Sequence, residues 1–225
     1  MIKNQTDWSH SMQPDLNFEQ NLWAENVTLI AGIDEVGRGA LAGPVTAAAL
    51  ILPPDSTLLD RLAGVRDSKQ LTPQARLYWA ERLRLVAVAW GVGCASHKEI
   101  DSLGILTATR LAAQRAINNL AQLPQHLLID YLFLPDCALP QTALIKGDAR
   151  CLSIAGASIL AKTARDALMS DLEVDFPGYE FASHKGYCTP RHVQAIQRLG
   201  PCPIHRRSFA PLKDLLEDKE PVFPD

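Results

Sequence analysis

Residues 28–52, TLIAGIDEVGRGALAGPVTAAALIL, decide the fold class of this chain. A short apolar run closes in Asp34 and Glu35, a glycine-rich segment follows, and a second apolar run leads into Pro53-Pro54. Short apolar runs bounded by glycine and proline are typical of buried strands joined by a turn. The stretch therefore predicts two neighbouring strands, with a pair of carboxylates at the end of the first.

Apolar periodicity along the rest of the chain predicts helices that alternate with short strands. Thr72-Pro73 has the form of a helix N-terminus, and HLLIDY at residues 126–131 is typical of a buried parallel strand. The predicted helices cover residues 72–85, 98–120 with a break near Leu103-Gly104, 153–172 and 191–199, and the further strands cover residues 86–93, 126–131 and 142–146. We therefore expect an α/β fold in which a mixed β-sheet is flanked by helices, with a helical part at the C-terminal end.

The chain divides into one domain and two tails. Its 225 residues, 47% of them hydrophobic, are enough for one domain with a full core. Residues 1–26 are mostly polar and lack periodicity, so we expect a flexible N-terminal tail. The domain is expected over residues 27–213, with a basic helical segment from about residue 184, and a second tail over residues 214–225.

Composition excludes several classes of protein. Five cysteines without a CxxC pair exclude zinc-ribbon and thioredoxin-like proteins and favour a reducing compartment. The first 25 residues carry four acids against Lys3, which is not the pattern of a secretory signal, and no run of about 18 apolar residues occurs. We expect a cytoplasmic protein with no membrane contact, and a monomer, since nothing suggests an obligate dimer.

Charge is unevenly distributed, although the net charge is only −3. Residues 184–213 contain six lysines and arginines and no acid. A local basic surface is expected where a protein contacts a phosphate backbone. A solvated basic helix without a ligand would give the same composition. The charge alone therefore favours neither a phosphate-binding surface nor a helix without a ligand.

Four carboxylates stand where apolar runs stop: Asp34, Glu35, Asp130 and Asp148. Loops at strand ends of α/β sheets converge on binding sites, and grouped carboxylates raise each other's pKa unless a cation neutralises them. Mg²⁺ and Mn²⁺ prefer such oxygen ligands, and two ions about 4 Å apart can hydrolyse a phosphodiester. Because neighbours on a regular strand face opposite sides, Asp34 and Glu35 converge only if the strand ends or bulges there.

The turn Gly37-Arg38-Gly39 lets backbone groups approach a ligand, because glycine has no Cβ. It lacks the lysine and hydroxyl residues of a phosphate-binding P-loop. Two glycines at this spacing, without further signals, indicate a tight turn more often than a binding loop.

With these features assembled, the chain resembles ribonuclease HII, the bacterial type 2 ribonuclease H. The matching segments keep the family's order and spacing across most of residues 29–213. They are AGIDEVGRG at 31–39, DSKQL at 67–71, LLID at 127–130, KGD at 146–148, IAGASILAKTARD at 154–166, HKGY at 184–187 and HRRSF at 205–209. The chain departs from the pattern at Tyr131, next to Asp130, where the family commonly has glycine.

The resemblance implies a ribonuclease H-like fold and a role for each matched residue. The four carboxylates fall on the family's acidic active-site positions, as catalytic residues that bind two Mn²⁺ or Mg²⁺ ions. The implied substrate-binding residues are Gly37, Arg38 and Gly39 at the 2′-hydroxyl of a ribonucleotide, Tyr187 beside the deoxyribose that follows it, and Lys69 and Lys146 near the nucleic-acid backbone.

The implied activity is metal-dependent endoribonuclease cleavage. The implied substrates are RNA–DNA hybrids, cut in the RNA strand, and duplex DNA with single ribonucleotides, cut on their 5′ side to leave 5′-phosphate and 3′-hydroxyl ends. Contact with a replication clamp is left open. A nuclease acting on DNA branches would cut all-DNA substrates at a comparable rate, and a silent hybrid-binding module would bind without cleaving.

Four further residues have two readings each. Lys162, Arg165 and Asp166 could reach the active site. Charged helix residues of this kind more often form ion pairs, either on the surface or buried, and we favour that interpretation. His184 is a candidate proton shuttle, but orientation of its own loop is the reading we favour.

Overall fold

The computed structural model describes residues 13–213, and its centre is a five-stranded sheet in the order β3-β2-β1-β4-β5. The strands are β1 Ile30–Val36, β2 Val45–Ile51, β3 Ala89–Ala95, β4 His126–Asp130 and β5 Gln141–Leu144. The pairs β1–β2 and β2–β3 are antiparallel, whereas β1–β4 and β4–β5 are parallel. The predicted mixed sheet is therefore confirmed.

Helices cover both faces of the sheet, as predicted. They are α1 Asn17–Ala24, α2 Leu58–Arg61, α3 Pro73–Val86, α4 His97–Leu103, α5 Ile105–Asn118, α6 Leu152–Asp175, α7 Phe181–His184 and α8 Pro190–Leu199, with 3₁₀ turns at Ser68–Gln70 and Gly147–Ala149. Helix α5 packs on the face that presents Ala31 and Ile33, and α3 and α6 pack on the opposite face. Within residues 13–213, no helix is long and apolar enough to cross a membrane.

Gly32 sets the distance between β1 and α6. A Cβ at this position would lie 2.2 Å from the carbonyl carbon of Ser153, so only glycine allows the helix to pack here. Because alternate residues of a strand share a face, Asp34 lies on the same side as Gly32. The close packing thus places α6 beside Asp34.

Local signals fix the helix ends near their predicted positions. The Thr72 hydroxyl accepts the Ala75 N–H at 3.2 Å, and Gly104 separates α4 from α5 with φ +77°. The third strand begins three residues later than predicted. Helix α3 continues to Val86, and Ala87 still donates to the Leu83 carbonyl, so bonding to β2 begins only at Val88, whose N–H donates to the Ile51 carbonyl at 2.9 Å.

The prediction of a flexible tail through residue 26 is wrong for its described part. Residues 17–24 form helix α1, and Leu16 and Glu19 are each 1% exposed. The Glu19 carboxylate accepts the Ser153 N–H at 2.9 Å, at the start of α6, where Cys151 provides no side-chain cap. The apolar side chains of α1 and a long-range cap therefore anchor this segment. Residues 1–12 and the tail predicted over 214–225 lie outside the described residues.

Candidate active site

Asp34 and Glu35 lie within β1, whose pairing with β2 stays regular past them. Asp34 is opposite Ala48, Glu35 is opposite Ala47, and the strand continues to Val36. The break in strand geometry that would turn both carboxylates to one side therefore does not occur. Asp34 faces α6 and is buried, and Glu35 emerges from the other face and is held by the Arg38 guanidinium at 3.1 Å.

Asp130 and Asp148 come together at the ends of the two parallel strands beside β1. Asp130 is the last residue of β4, and Asp148 lies in the 3₁₀ turn after β5. The Gly147 N–H donates to Asp130 Oδ1 at 2.7 Å, which fastens this turn to the end of β4. The parallel register of β1 and β4, with Ile33 next to Ile129, brings Asp130 beside Asp34.

The four carboxylates form one electrostatic group. Burial raises the pKa of Asp34 well above its usual value, and the charges of Glu35 and Asp130 raise it further. Burial also raises the pKa of Asp148 and of Glu35, and in both cases Asp130 adds to the effect. Acids predicted from distant parts of the sequence are thus brought within mutual electrostatic reach.

Lys69 is the cation of this group. Burial alone lowers the pKa of Lys69, but four acids outweigh it and the pKa is raised. These acids are Asp67, Asp148, Asp34 and Asp130. The lysine that the resemblance assigns to the nucleic-acid backbone therefore lies within electrostatic reach of the carboxylates.

The group suits a hard divalent cation by its chemistry. Every donor is a carboxylate oxygen, the ligand type that Mg²⁺ and Mn²⁺ prefer, and burial together with the charges of Glu35 and Asp130 raises the pKa of Asp34. Within residues 13–213, no three His, Cys, Asp or Glu side chains are arranged so that they could hold a metal ion. The donor set is present, and its carboxylates lie within electrostatic reach of one another.

The glycine turn at residues 37–39 is held in place by hydrogen bonds from Arg206. Its guanidinium donates to the carbonyls of Gly37 and Arg38, each at 2.7 Å, and to that of Gly43 at 3.0 Å. Gly37 has φ +90°, and a Cβ there would lie 2.1 Å from Nε of Arg165. Gly37 is therefore required by the fold, whereas a Cβ on Gly39 would meet nothing within 4 Å.

Tyr187 lies next to this turn. The Leu41 N–H donates to the Gly186 carbonyl at 2.8 Å, and Ala40 forms an isolated β-bridge with Tyr187. Arg165 donates to the Lys185 carbonyl at 2.9 Å, and its guanidinium carbon lies 5.4 Å from the Tyr187 ring centre. The fold thus brings together two elements, about 150 residues apart, that the resemblance assigns to substrate binding.

The basic segment 184–213 is not a uniform basic surface. Arg206 is 0% exposed and binds the glycine turn, and Lys185 donates to Ser170 at 2.6 Å. Arg191 lies 3.5 Å from Glu180, and Arg198 donates to the Gly178 carbonyl. Several of these cations contact groups of the protein itself, so the segment does not present all of its positive charge on one phosphate-facing surface.

Two loop residues near the acids have left-handed backbone conformations. Lys146 is exposed with φ +55°, directly before the turn that carries Asp148. Tyr131 is 72% exposed with φ +54°, a conformation that favours glycine. This conformation explains why glycine is common at this position in the family that the sequence resembles.

Three buried histidines connect the C-terminal part to the Tyr187 loop. The Cys202 N–H donates to Nδ1 of His205, whose Nε2 lies 3.1 Å from Nε2 of His192. Nδ1 of His192 then donates to the Tyr187 carbonyl at 2.9 Å. His184 accepts the Gly186 N–H and donates to the Tyr179 carbonyl, so its position fits orientation of the loop.

This chain of bonds predicts loss of stability in mild acid. It requires neutral imidazoles, and burial lowers the pKa of His192 and of His205 to about 4. Below pH 6.5, the unfolded chain binds protons that the folded protein does not, so the free energy of unfolding falls until about pH 4. Two such shifts contribute on the order of a few kcal/mol.

Urea unfolding at pH 7 and pH 5 measures this loss. His192→Gln removes one of the two groups, so the variant is expected to lose less stability between these pH values than the parent. An equal loss in both proteins would show that the histidines are not its source.

The positioning roles of two arginines are not predictable from the local sequence. Arg165 has two interpretations as a helix residue, and Arg206 is one of six bases in the segment 184–213. The only available signal was that both lie in the motifs IAGASILAKTARD and HRRSF. Asp166 matches the favoured reading, since it pairs with Lys162 at 2.7 Å and with Arg76 at 3.5 Å.

The five-stranded mixed sheet with flanking helices defines the class as ribonuclease H-like hydrolases. The crystal structure of the ribonuclease H2 from Pyrococcus horikoshii OT3 is similar, with a TM-score of 0.69 and 28% identity over 84% of this chain and 97% of that one. The RNase HII in a PCNA complex from Archaeoglobus fulgidus shares the fold, with a TM-score of 0.66 and 24% identity over 80% of this chain and 95% of that one.

The chain belongs to the ribonuclease HII family. The family model described as Ribonuclease HII matches residues 31–212. The ribonuclease HII of Synechococcus sp. (strain JA-3-3Ab) is 53% identical over 204 residues, which are 91% of each chain. The protein is thus a ribonuclease H hydrolase, of a family of divalent-metal-dependent endoribonucleases that act on RNA–DNA hybrids.

Proposed function

We propose that this protein cuts duplex DNA on the 5′ side of single embedded ribonucleotides as well as the RNA strand of hybrids, and leaves 5′-phosphate and 3′-hydroxyl ends. One observation carries the proposal. The glycine turn and Tyr187, which would meet the ribonucleotide and the next sugar, are joined by the Leu41–Gly186 hydrogen bond of 2.8 Å. Two contacts on one rigid unit can recognise a junction between two kinds of sugar.

The proposed selectivity depends on the 2′-hydroxyl, the group that distinguishes RNA from DNA. Gly39 is exposed and leaves the backbone of the turn open to a ligand. Arg206 holds the carbonyls of Gly37 and Arg38, so the turn does not have to be ordered when substrate binds. A turn fixed in advance would discriminate by a single oxygen atom without contact to any base.

We propose that Asp34, Glu35, Asp130 and Asp148 bind two Mg²⁺ or Mn²⁺ ions. Such ions would supply an activated water and stabilisation of the departing 3′-oxygen. The protein orients the carboxylates that would bind the ions. The Gly147 N–H donates to Asp130, and the Arg38 guanidinium donates to Glu35. Lys69, among the acids, and Lys146, on the exposed loop beside them, are proposed to approach the scissile backbone.

The experiment that tests the function uses a DNA duplex with one ribonucleotide, with and without Mg²⁺ or Mn²⁺. We expect a single metal-dependent cut on the 5′ side of the ribonucleotide. An all-DNA duplex of the same sequence is the control. Cleavage of that control at a comparable rate would favour a DNA nuclease, and tight binding without any cleavage would favour a silent binding module.

Tyr187→Ala is expected to weaken the preference for a single ribonucleotide over a long hybrid. The ring lies beside the glycine turn and is proposed to pack on the deoxyribose after the ribonucleotide, and burial of one ring face is worth about 1.4 kcal/mol. The ratio of kcat/KM on the two substrates should therefore fall about tenfold. Tyr78→Ala on α3, an exposed tyrosine, is the control. Equal loss on both substrates would contradict the role.

The cellular setting is proposed on the same basis. We propose that the protein removes ribonucleotides from replicated DNA. We also propose that it acts in the cytoplasm and as a monomer. The PCNA complex from Archaeoglobus fulgidus concerns a protein that is 24% identical, so clamp contact by this chain stays open.

A further inference from the structure

A cleft of about 500 Å³ lies between α3, α6 and α7, outside the carboxylate group. Its charged lining residues are Arg76, Lys162 and Lys185, with Asp166 as the acid among its described lining residues. Three cations and one carboxylate leave this cleft with a local charge of about +2. Nothing in the proposed mechanism uses it.

The cations of the cleft are not fully compensated. Lys162 lies 2.7 Å from one Asp166 oxygen, and Arg76 lies 3.5 Å from the other. Lys185 donates to the Asp166 carbonyl at 3.1 Å and to Ser170. Burial lowers the pKa of Lys185, and repulsion by Lys162, Arg76 and Arg165 lowers it further. An anion in the cleft would relieve this repulsion.

The cleft lies at a definite distance from the carboxylates. Ser158, Lys162, Asp166 and Ser170 are four residues apart, so they follow one face of α6. Ser158 is beside Asp34, and at 1.5 Å per residue the cleft spans about 6 to 18 Å along the helix from it. One DNA strand carries a phosphate every 3.4 Å or so of helix axis. For a strand that follows α6, the course that the inference below adopts, this span corresponds to about two to five nucleotides.

Tyr187 gives the direction along the substrate. Lys162 Nζ lies 5.9 Å from the Tyr187 ring centre, so the cleft is on the Tyr187 side of the acids. Tyr187 is proposed to stack on the sugar that follows the ribonucleotide. The cleft therefore lies beyond the ribonucleotide in the 3′ direction.

We infer that the cleft binds a backbone phosphate of the DNA about two to five nucleotides 3′ of the ribonucleotide, with Lys162 as a principal contact. This inference rests on the proposed function for the direction of the strand. The contact would be independent of sequence and would fix the register of the duplex on the protein.

The test measures the Kd of duplexes that carry one ribonucleotide and one uncharged methylphosphonate linkage, placed in turn at the first to the eighth position 3′ of it. Binding is followed by fluorescence anisotropy without divalent metal. Lys162→Met removes the charge, Lys162→Arg keeps it, and Lys98→Met on α4, at the other face of the sheet, is the matched control. Thermal melting of each variant shows that it is folded.

We expect the parent's Kd to rise about three- to tenfold when the neutral linkage lies at one position between the second and the fifth. Lys162→Met should raise Kd by a similar factor and lose sensitivity to that linkage, whereas Lys162→Arg and Lys98→Met should respond like the parent. Equal Kd values at all eight positions, or a Lys162→Met protein that responds like the parent, would overturn the inference. The Kd values are measured without cleavage. Failure of the ribonuclease assay would therefore reject the proposed activity, whereas the Kd values alone decide whether the cleft binds a phosphate.

Discussion

Asp34→Asn is expected to abolish most turnover while duplex binding stays close to that of the parent. Asp34 is the most strongly desolvated of the four acids, and its carboxylate is the proposed metal ligand on the α6 side. An amide removes a full negative charge from the ligand set, so we expect kcat to fall by about 10³-fold or more. Single-turnover cleavage of a one-ribonucleotide duplex measures the loss, and anisotropy measures binding.

The melting temperature of Asp34→Asn distinguishes a loss of catalysis from a loss of folding. Because burial opposes the charged form of Asp34, the isosteric amide should fold as well as the carboxylate, and the melting temperature should stay at or above that of the parent. Asp60→Asn on α2 is an exposed control that should change neither quantity. If Asp34→Asn cleaved as fast as the parent, the assignment of the active site would be wrong.

Gly39→Ala is expected to impair cleavage at single ribonucleotides without harm to the fold. The added methyl group meets no protein atom within 4 Å, so the free energy of unfolding should change by less than about 0.5 kcal/mol. The methyl group does occupy the space through which the backbone would approach the 2′-hydroxyl. We expect kcat/KM on a one-ribonucleotide duplex to fall by about 10².

Gly37→Ala provides the contrast within the same turn. Its Cβ would lie 2.1 Å from Arg165 Nε at a residue with φ +90°, so this variant should lose stability by about 2 kcal/mol or more, together with activity. Urea unfolding and steady-state kinetics of the two variants form the experiment. Full activity in Gly39→Ala would contradict a backbone contact to substrate at this position.

Short-range patterns were sufficient to predict the sheet, most helix starts and the four acids. Apolar runs that lead into Asp34 and Asp130 indicate buried strands, because a carboxylate directly after such a run is costly to bury unless it is paired or bound. Thr72 begins α3 through its side-chain hydroxyl and Gly104 ends α4 through its positive φ, so neighbouring residues are enough to place them. Helix α1, within the predicted tail of residues 1–26, is not evident from the sequence, because its apolar side chains pack against distant strands and α6, which local periodicity does not reveal.

The sequence by itself determined the fold class, the family and the identities of the four carboxylates, because each depends on residue types at short fixed spacing. Only the tertiary structure decided which cations face the acids and which hold the backbone. Lys69 lies among the carboxylates, and Arg206 donates to carbonyls 168 and 169 residues earlier in the chain. A buried guanidinium is stable only where several carbonyls converge, and that convergence exists only once distant segments have packed together.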